Sequence, residues 1–386
     1  MNNAEALLDR IRALAQTDEN SRRSELWKLQ TDTAEAYWHG CPKEGLDCIP
    51  FTIELEHEMW AKIFDFDLDK YYTQGLTYLM ADLKIKIYRF ENFPDGTPIG
   101  KTISLWMGAG FEASLFGLKQ VYTKDKDPWI GREPLLKNKS DLDKLVMPDF
   151  HNASAMLRVH QMHENMKRLL DDDFSAIMPE WCRGPFGLAC HLRGMENVII
   201  DMQEDPGFVH ALMQLTTEAR KKWTKQRAEF MKVPIHVGSL YNDEVNIPLL
   251  SPQLYEKFIL PYEIELSKFY GAISYWHSCG DTADLHSLIR CIPHLQMIHI
   301  SPWTDLKQST ANLAGSGIAL EVVLHPLTDI QKATEERIRF HLAHIRAVTE
   351  GISTTVRADG LQEIASAKED LVKIKRWADI AQSILG

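Results

Sequence analysis

Short apolar runs rich in Ile, Val, Phe and Tyr recur along this chain, and polar stretches with helical spacing separate most of them. The runs fall at 49–54, 102–107, 176–180, 235–240, 273–276, 296–300, 318–323 and 354–357. Helical patterns occupy 206–231, 251–270, 282–291, 335–349 and 363–385. Regular strand–helix alternation implies a parallel sheet. Eight strands in 386 residues predict an α/β fold, a closed (β/α)8 TIM-type barrel, with an open sheet as the alternative. Two more helical patterns, 5–14 and 24–37, precede the first run. They predict an N-terminal helical extension within residues 1–45 that caps the barrel floor. Leu7, Leu8, Ile11 and Leu14 mark the apolar face of the first. Residues 84–150 are long and irregular and predict a lid or insertion within a single barrel domain, 1–386.

Composition narrows the class of partner. Apolar residues make up 45% and charged residues 25%, the balance of a globular protein with a sizeable core. The net charge of -11 argues against nucleic acid or an anionic membrane as the main partner, because both attract basic surfaces. No run of eighteen apolar residues exists, so no transmembrane helix is expected. The N-terminus lacks the apolar core of a signal peptide. The six cysteines are scattered, which suits a reducing cytoplasm better than a disulfide scaffold.

Active sites of such barrels sit where strands end and the following loops begin. Residues just past the expected strands are strongly ionisable. Glu54, Glu56, His57 and Glu58 follow the first strand, and Glu180, Arg183 and His191 the third. Tyr241, Asp243 and Glu244 follow the fourth, and His277, Cys279 and Asp281 the fifth. His299, Glu321, Arg357 and Asp359 belong to the last three. A ring of ionisable groups at one mouth points to a binding or catalytic pocket.

The stretch "YWHSCGDT" (275–282) is its most specific part. His277 and Cys279 are two apart, so an extended backbone aims both the same way. Thiolate, imidazole and carboxylate are zinc ligands, and a catalytic zinc needs three from the protein. Glu321 and Asp359 are the candidates to complete the set. Elsewhere the bland reading prevails. Cys182, Cys190 and Cys291 read as core or helix residues, and His210, His286 and His341 as packed or solvated helix residues. "DDD" (171–173) reads as a charge run at a helix end or loop. No Gly-rich nucleotide fingerprint and no nucleophile elbow is present. A Cys279–His277 nucleophile is disfavoured by the surrounding carboxylates.

Four stretches together resemble the uroporphyrinogen decarboxylase superfamily, which includes cobalamin-dependent methyltransferases: "RGPFGLACHLRGMENVIIDMQEDPGFVHALM" (183–213), "NIPLLSPQLYEKFILPYEIELSKF" (246–269), "YWHSCGDT" (275–282) and "LEVVLHPLTDI" (320–330). The resemblance implies a distorted (β/α)8 barrel. It also separates two branches. The porphyrin decarboxylases carry an Arg-rich segment after strand one and a catalytic aspartate near strand two. Here those places read "IPFTIELEHEMW", with three glutamates and no arginine, and "GKTISLWMGAGFE", with no aspartate. His191 stands where those enzymes have a substrate-binding tyrosine, and Asp359 where they have a C-terminal histidine.

The methyltransferase branch has His-x-Cys-Gly after the same strand and a second cysteine at the last strand end. His277, Cys279 and Gly280 match. The second cysteine does not: "VRADG" puts Asp359 in or near its place. A carboxylate in place of a thiolate makes the ion harder, which suits a methoxy or amine methyl donor at least as well as a thiol.

The resemblance therefore implies a zinc-dependent methyltransferase of a corrinoid pathway. Its zinc ligands would be His277 and Cys279, with Glu321 or Asp359. Glu180, His191, Tyr241, Asp243 and Glu244 would be catalytic and substrate-orienting, with Glu56, His57, Arg183, His299 and Arg357 binding substrate. The partners implied are a small-molecule methyl donor or acceptor and a separate corrinoid protein, since no D-x-H-x-x-G cobalamin pattern occurs here. A homodimer is compatible with this reading. Two alternatives stay open. One is a metal-free decarboxylase or lyase acting on a small carboxylic acid held by Arg183, Arg193 or Arg357. The other is a corrinoid-protein binding module without catalysis.

Overall fold

The computed structural model describes residues 2–28 and 40–386. Its strands are β1 (Phe51–Leu55), β2 (Thr102–Ser104), β3 (Gln120–Val121), β4 (Trp129–Ile130), β5 (Ser175–Ile177), β6 (Gly238–Tyr241), β7 (Ile273–His277), β8 (Met297–Ile300), β9 (Ala319–Leu324) and β10 (Thr354–Leu361). Each of the eight expected runs overlaps a parallel strand. Six form one curled sheet in the order β1-β10-β9-β8-β7-β6, every pair parallel. The first strand pairs with the last, which is how a barrel wall closes. β2 and β5 form a separate parallel pair, and β3 and β4 an antiparallel pair. The chain after β5 reaches β6 through a parallel bridge between Arg183 and Tyr241. The fold is thus the expected TIM type, with a continuous wall on one side and an interrupted wall on the other.

Alternation along the strands sorts the interior. Trp276, Ile298 and Leu320 face the helices and join the main apolar core. Tyr275, Met297 and Ala319, one residue earlier on the same three strands, form a second cluster with Cys41. Two residues further along that inner face come His277, His299 and Glu321. The barrel interior is therefore apolar below and ionisable above, and the change occurs within one layer of side chains.

Local chemistry sets the helices. Asp205 caps Pro206–Met231 by accepting from the Phe208 N–H, with Pro206 in the first turn. Ser366 caps Ala367–Leu385 likewise, at the Glu369 N–H. Gly271, at φ 86°, ends Leu260–Tyr270 in the left-handed conformation that glycine tolerates.

The N-terminal helix spans Asn2–Ala15, with Leu8, Ile11 and Leu14 buried. Of the second pattern, 24–37, only residues 24–28 are described, and there Ser24 and Glu25 close a helix that begins earlier. It runs Asp18–Glu25, because Thr17 caps it through the Asn20 N–H and two acidic residues open its first turn. Trp27 then pairs with Pro42, and residues 29–39 lie outside the described residues. Residues 84–150 are less irregular than expected. They open on the end of helix Gly75–Asn92, which packs against Ser154–Lys167, and they carry β2, β3 and β4. Among the described residues, no helix is long and apolar enough to cross a membrane.

Candidate active site

β6 and β7 are neighbours, with Tyr241 opposite His277 in register. Two residues on from each, Asp243 and Cys279 therefore also meet. The Cys279 thiol lies 3.3 Å from Asp243 Oδ1. His277 Nε2 lies 3.1 Å from the same oxygen and 3.2 Å from Cys279 Sγ. The three ligand atoms make a nearly equilateral triangle. A tetrahedral zinc with bonds of ~2.0–2.3 Å separates its ligand atoms by about 3.3–3.8 Å, so small shifts would fit these three around one ion.

Hydrogen bonds lace the two loops together. The Asn242 N–H donates to the His277 carbonyl at 2.8 Å, and Ser278 Oγ donates to the Val245 carbonyl at 2.7 Å. His299 Nδ1 donates to the Ser278 carbonyl at 2.6 Å. At Gly280 a Cβ would stand 2.3 Å from Asn246 Cβ, so only glycine lets the loops approach this closely. Beneath them Glu263 is fully buried and accepts from Tyr255, Trp276 and Asn242. Burial lifts its carboxyl to about 7 despite these donors.

The electrostatics of the triangle are one-sided. Burial would raise Asp243, but the hydrogen bond and charge of His277, with Arg183 nearby, outweigh it and hold the carboxyl well below the usual range. Burial and the neighbouring Asp243 and Asp359 push the Cys279 thiol well up. A thiol raised in this way is a poor nucleophile. A cation placed in the triangle would reverse the effect.

Arg183, only 4% exposed, backs the site. Its Nη1 donates to both oxygens of Glu244, at 3.0 and 3.1 Å. Its Nη2 reaches Asp243 at 3.2 Å and the Ala109 carbonyl at 3.3 Å. Burial opposes its charge, but Glu244, Asp243 and Glu112 raise its pKa. His191 Nε2 lies 3.2 Å from Glu244, and Trp129 stands edge-on to the His191 ring. Against the cost of burial, Arg183 and His191 keep Glu244 below its ordinary value.

On the far side, the Tyr275 hydroxyl lies 3.3 Å from His277 Nδ1 and donates to Glu321. Glu321 also faces Arg357 at 3.7 Å, and Arg357 lies 3.4 Å from Asp359. The Tyr241 and His299 rings pack on His277, with centroids 5.0 and 4.2 Å away. Burial, then the His277 charge, lowers the pKa of His299 well below the usual range.

A third corner lies at the end of β1. Glu56, Glu58 and Asp127 have carboxylate oxygens within 4.8 Å of one another. His57 Nδ1 lies 3.3 Å from Asp127, and its ring stacks on Trp106 with centroids 5.1 Å apart. Burial and the charge of Asp359 raise Glu56 to about 7. Burial would lower His57, but Asp127 and the glutamates raise it.

The structure thus groups the expected residues differently from the sequence. Asp243, not Glu321 or Asp359, completes the triangle with His277 and Cys279. Glu321 instead partners Tyr275 and Arg357. Glu180 is exposed and faces Arg227 at 3.5 Å, so it is not brought to the mouth. Arg193 is tied to Asp201 and to the Leu136 and Lys137 carbonyls. Sequence reasoning passed over Tyr275, which its place two residues before His277 marks as sharing that face. It also passed over Asp127 and Glu112, in segments distant along the chain. Glu112 accepts the N–H groups of Cys182 and Arg183, and no local signal announces that.

Residues 102–368 match the family described as uroporphyrinogen decarboxylase (URO-D), well over half of the chain. The chain belongs to that family. The matched span takes in Arg183, His191, Asp243, His277, Cys279, Glu321 and Asp359, and leaves out Glu56 and His57. One relative within reach is a methylated-thiol–coenzyme M methyltransferase of Methanosarcina mazei, 27% identical over 213 residues. That match covers 55% of this chain and 54% of the relative, so the chain spans about half the length of this curated protein. Among solved structures, a methyltransferase from Methanosarcina mazei superposes with a TM-score of 0.63 at 15% identity. It covers 87% of this chain and 95% of that one. The structural likeness speaks to the shared URO-D fold.

Proposed function

We propose that this protein is a zinc-dependent methyltransferase that moves a methyl group between a small substrate and a corrinoid carried by a separate protein. The Asp243–His277–Cys279 triangle carries this reading. A chain of this family whose relatives include a methyltransferase presents three zinc-type ligands within bonding reach of one point, at the mouth of its barrel. His277 Nε2, Cys279 Sγ and a carboxylate oxygen of Asp243 would hold the ion and leave one position for substrate. Bound there, zinc supplies Lewis acidity to the heteroatom that gains or loses the methyl group. One nitrogen, one sulfur and one oxygen make a harder set than two sulfurs, which favours a methyl donor built on oxygen or nitrogen.

The chain's own residues do the rest. Arg183 holds Asp243 and Glu244 in place. Glu244 in turn holds His191 through its Nε2. Trp106, stacked on His57, and Trp129, edge-on to His191, both from segment 84–150, would help exclude water as a lid over the mouth. A metal-free decarboxylase would need an arginine available for the substrate carboxylate. Arg183, Arg193 and Arg357 each already face carboxylates, which weighs against that alternative.

Metal analysis tests the proposal. Protein expressed with ample zinc should carry about one equivalent, and His277→Ala should carry almost none. Wild-type protein well below one equivalent would sink the reading.

A further inference from the structure

Trp276 and Asn242 each stand one residue before a side chain of the triangle, Trp276 before His277 on β7 and Asn242 before Asp243 past the end of β6. Both reach the same carboxylate. The Trp276 indole N–H donates to Glu263 Oε2 at 3.1 Å, and Asn242 Nδ2 donates to Oε1 at 2.8 Å. Glu263 belongs to helix Leu260–Tyr270, and the Tyr255 hydroxyl, from helix Pro252–Phe258, also donates to its Oε2. All four residues are fully buried, so water does not compete for these atoms.

Successive side chains of a strand point to opposite faces. Trp276 is therefore held from behind the wall while His277 lies on its inner face. The Asn242 amide is confined on its other side too. A Cβ at Gly184 would stand 1.8 Å from Asn242 Oδ1, so only glycine leaves room for it there. The Asn242 backbone N–H meanwhile donates to the His277 carbonyl, and the Asn242 carbonyl accepts from the Val245 N–H, each at 2.8 Å. One carboxylate thus ties together the two segments that carry His277 and Asp243, whose Nε2 and Oδ1 are 3.1 Å apart.

We propose that Glu263 is a positioning residue that sets the spacing between His277 and Asp243, through Trp276 on one segment and Asn242 on the other. Leaving either buried donor unpaired is costly, which keeps both segments on the carboxylate. The inference rests on the zinc reading above for the use of that spacing, while the spacing itself belongs to the metal-free chain.

The test combines zinc affinity of the full chain, measured by competition with a chromophoric chelator, with the visible spectrum of the cobalt(II)-loaded protein. Asn242→Ala cuts the tie to Glu263 and keeps the backbone N–H that donates to His277. It should weaken zinc binding about 10- to 100-fold and change the cobalt d–d bands, which report ligand geometry. In the metal-free protein, the backbone amides at 242 and 245 should exchange with deuterium faster than in wild type. Tyr255→Phe removes a donor that lies on neither segment, so it should lower stability and leave affinity and spectrum at their wild-type values. Wild-type affinity and spectrum in Asn242→Ala, or an equal loss in Tyr255→Phe, would overturn the proposal, since a merely structural carboxylate would respond alike to both. If Asn242→Ala fails to fold, Glu263→Gln takes its place with the same expected results, because it offers one acceptor oxygen to three donors. Wild-type protein that binds neither metal refutes the functional reading instead, and the exchange rates still judge the spacing: unchanged rates in the variant overturn it.

Discussion

Two corners of the barrel mouth each gather three ligand-type side chains, and they are built on different principles. At the ends of β6 and β7, Asp243, His277 and Cys279 offer oxygen, nitrogen and sulfur. Arg183 compensates the carboxylate from behind, and Tyr275 occupies the remaining imidazole nitrogen. At the end of β1, Glu56, Glu58 and Asp127 offer only carboxylates, with His57 beside them. The first corner holds Asp243 ionised. The second drives Glu56 toward neutrality, to about 7. Proximity of ligand atoms is common to both, so it does not distinguish a metal centre. Mixed donors with partners behind them do.

Substitutions can break this comparison. The largest contrast should come from Asp243→Ala against Glu58→Gln. The first should reduce bound zinc to under about a tenth of an equivalent, and the second should leave zinc at the wild-type level, both read by elemental analysis. Zinc lost equally from both would mean the corners act as one site. Next in size is Arg183→Met. Removing one partner of a buried ion pair costs roughly 3–5 kcal/mol, because the remaining charges lose their compensation. Urea unfolding should show a loss of that order, and a loss under 1 kcal/mol would mean Asp243 and Glu244 are held by something else.

The smallest effect concerns pH. A carboxyl raised in the folded state takes up a proton more readily there than in the unfolded chain. Its contribution to stability is therefore present below the unfolded value near 4.5 and is lost as pH rises through about 7. Glu56→Gln abolishes that dependence. Relative to wild type, the variant should gain on the order of 1–3 kcal/mol between pH 5 and pH 8, followed by thermal unfolding at both pH values. A constant difference would mean that Glu56 does not carry this pH dependence.

The wall strands could be read from their apolar runs because parallel strands are covered on both faces; β8 and β9 are buried throughout. Helix Gly75–Asn92 escaped notice. It buries residues as varied as Tyr78, Ala81, Leu83, Ile85 and Arg89, which blurs the single stripe that reveals a surface helix. The candidate site divides along similar lines. His277 and Cys279 announce themselves by spacing. Asp243 lies 36 positions before Cys279 and becomes its partner only because β6 and β7 pair with Tyr241 opposite His277. Asp359 had the better claim from family pattern, yet β10 and β7 are separated in the wall by β8 and β9. Register between strands decides such pairings, and one sequence does not display it.

The small apolar cluster of Tyr275, Met297, Ala319 and Cys41 acts as a depth stop. It begins one side-chain layer below His277 and His299, and two residues of strand measure about 7 Å. His299 and Glu321, 3% and 2% exposed, fill the layer between, so anything held by the triangle stays at the rim above the methionine and alanine. On the proposed chemistry, a small methylated molecule and a corrin ring would therefore meet at the rim, beside Asp243, His277 and Cys279.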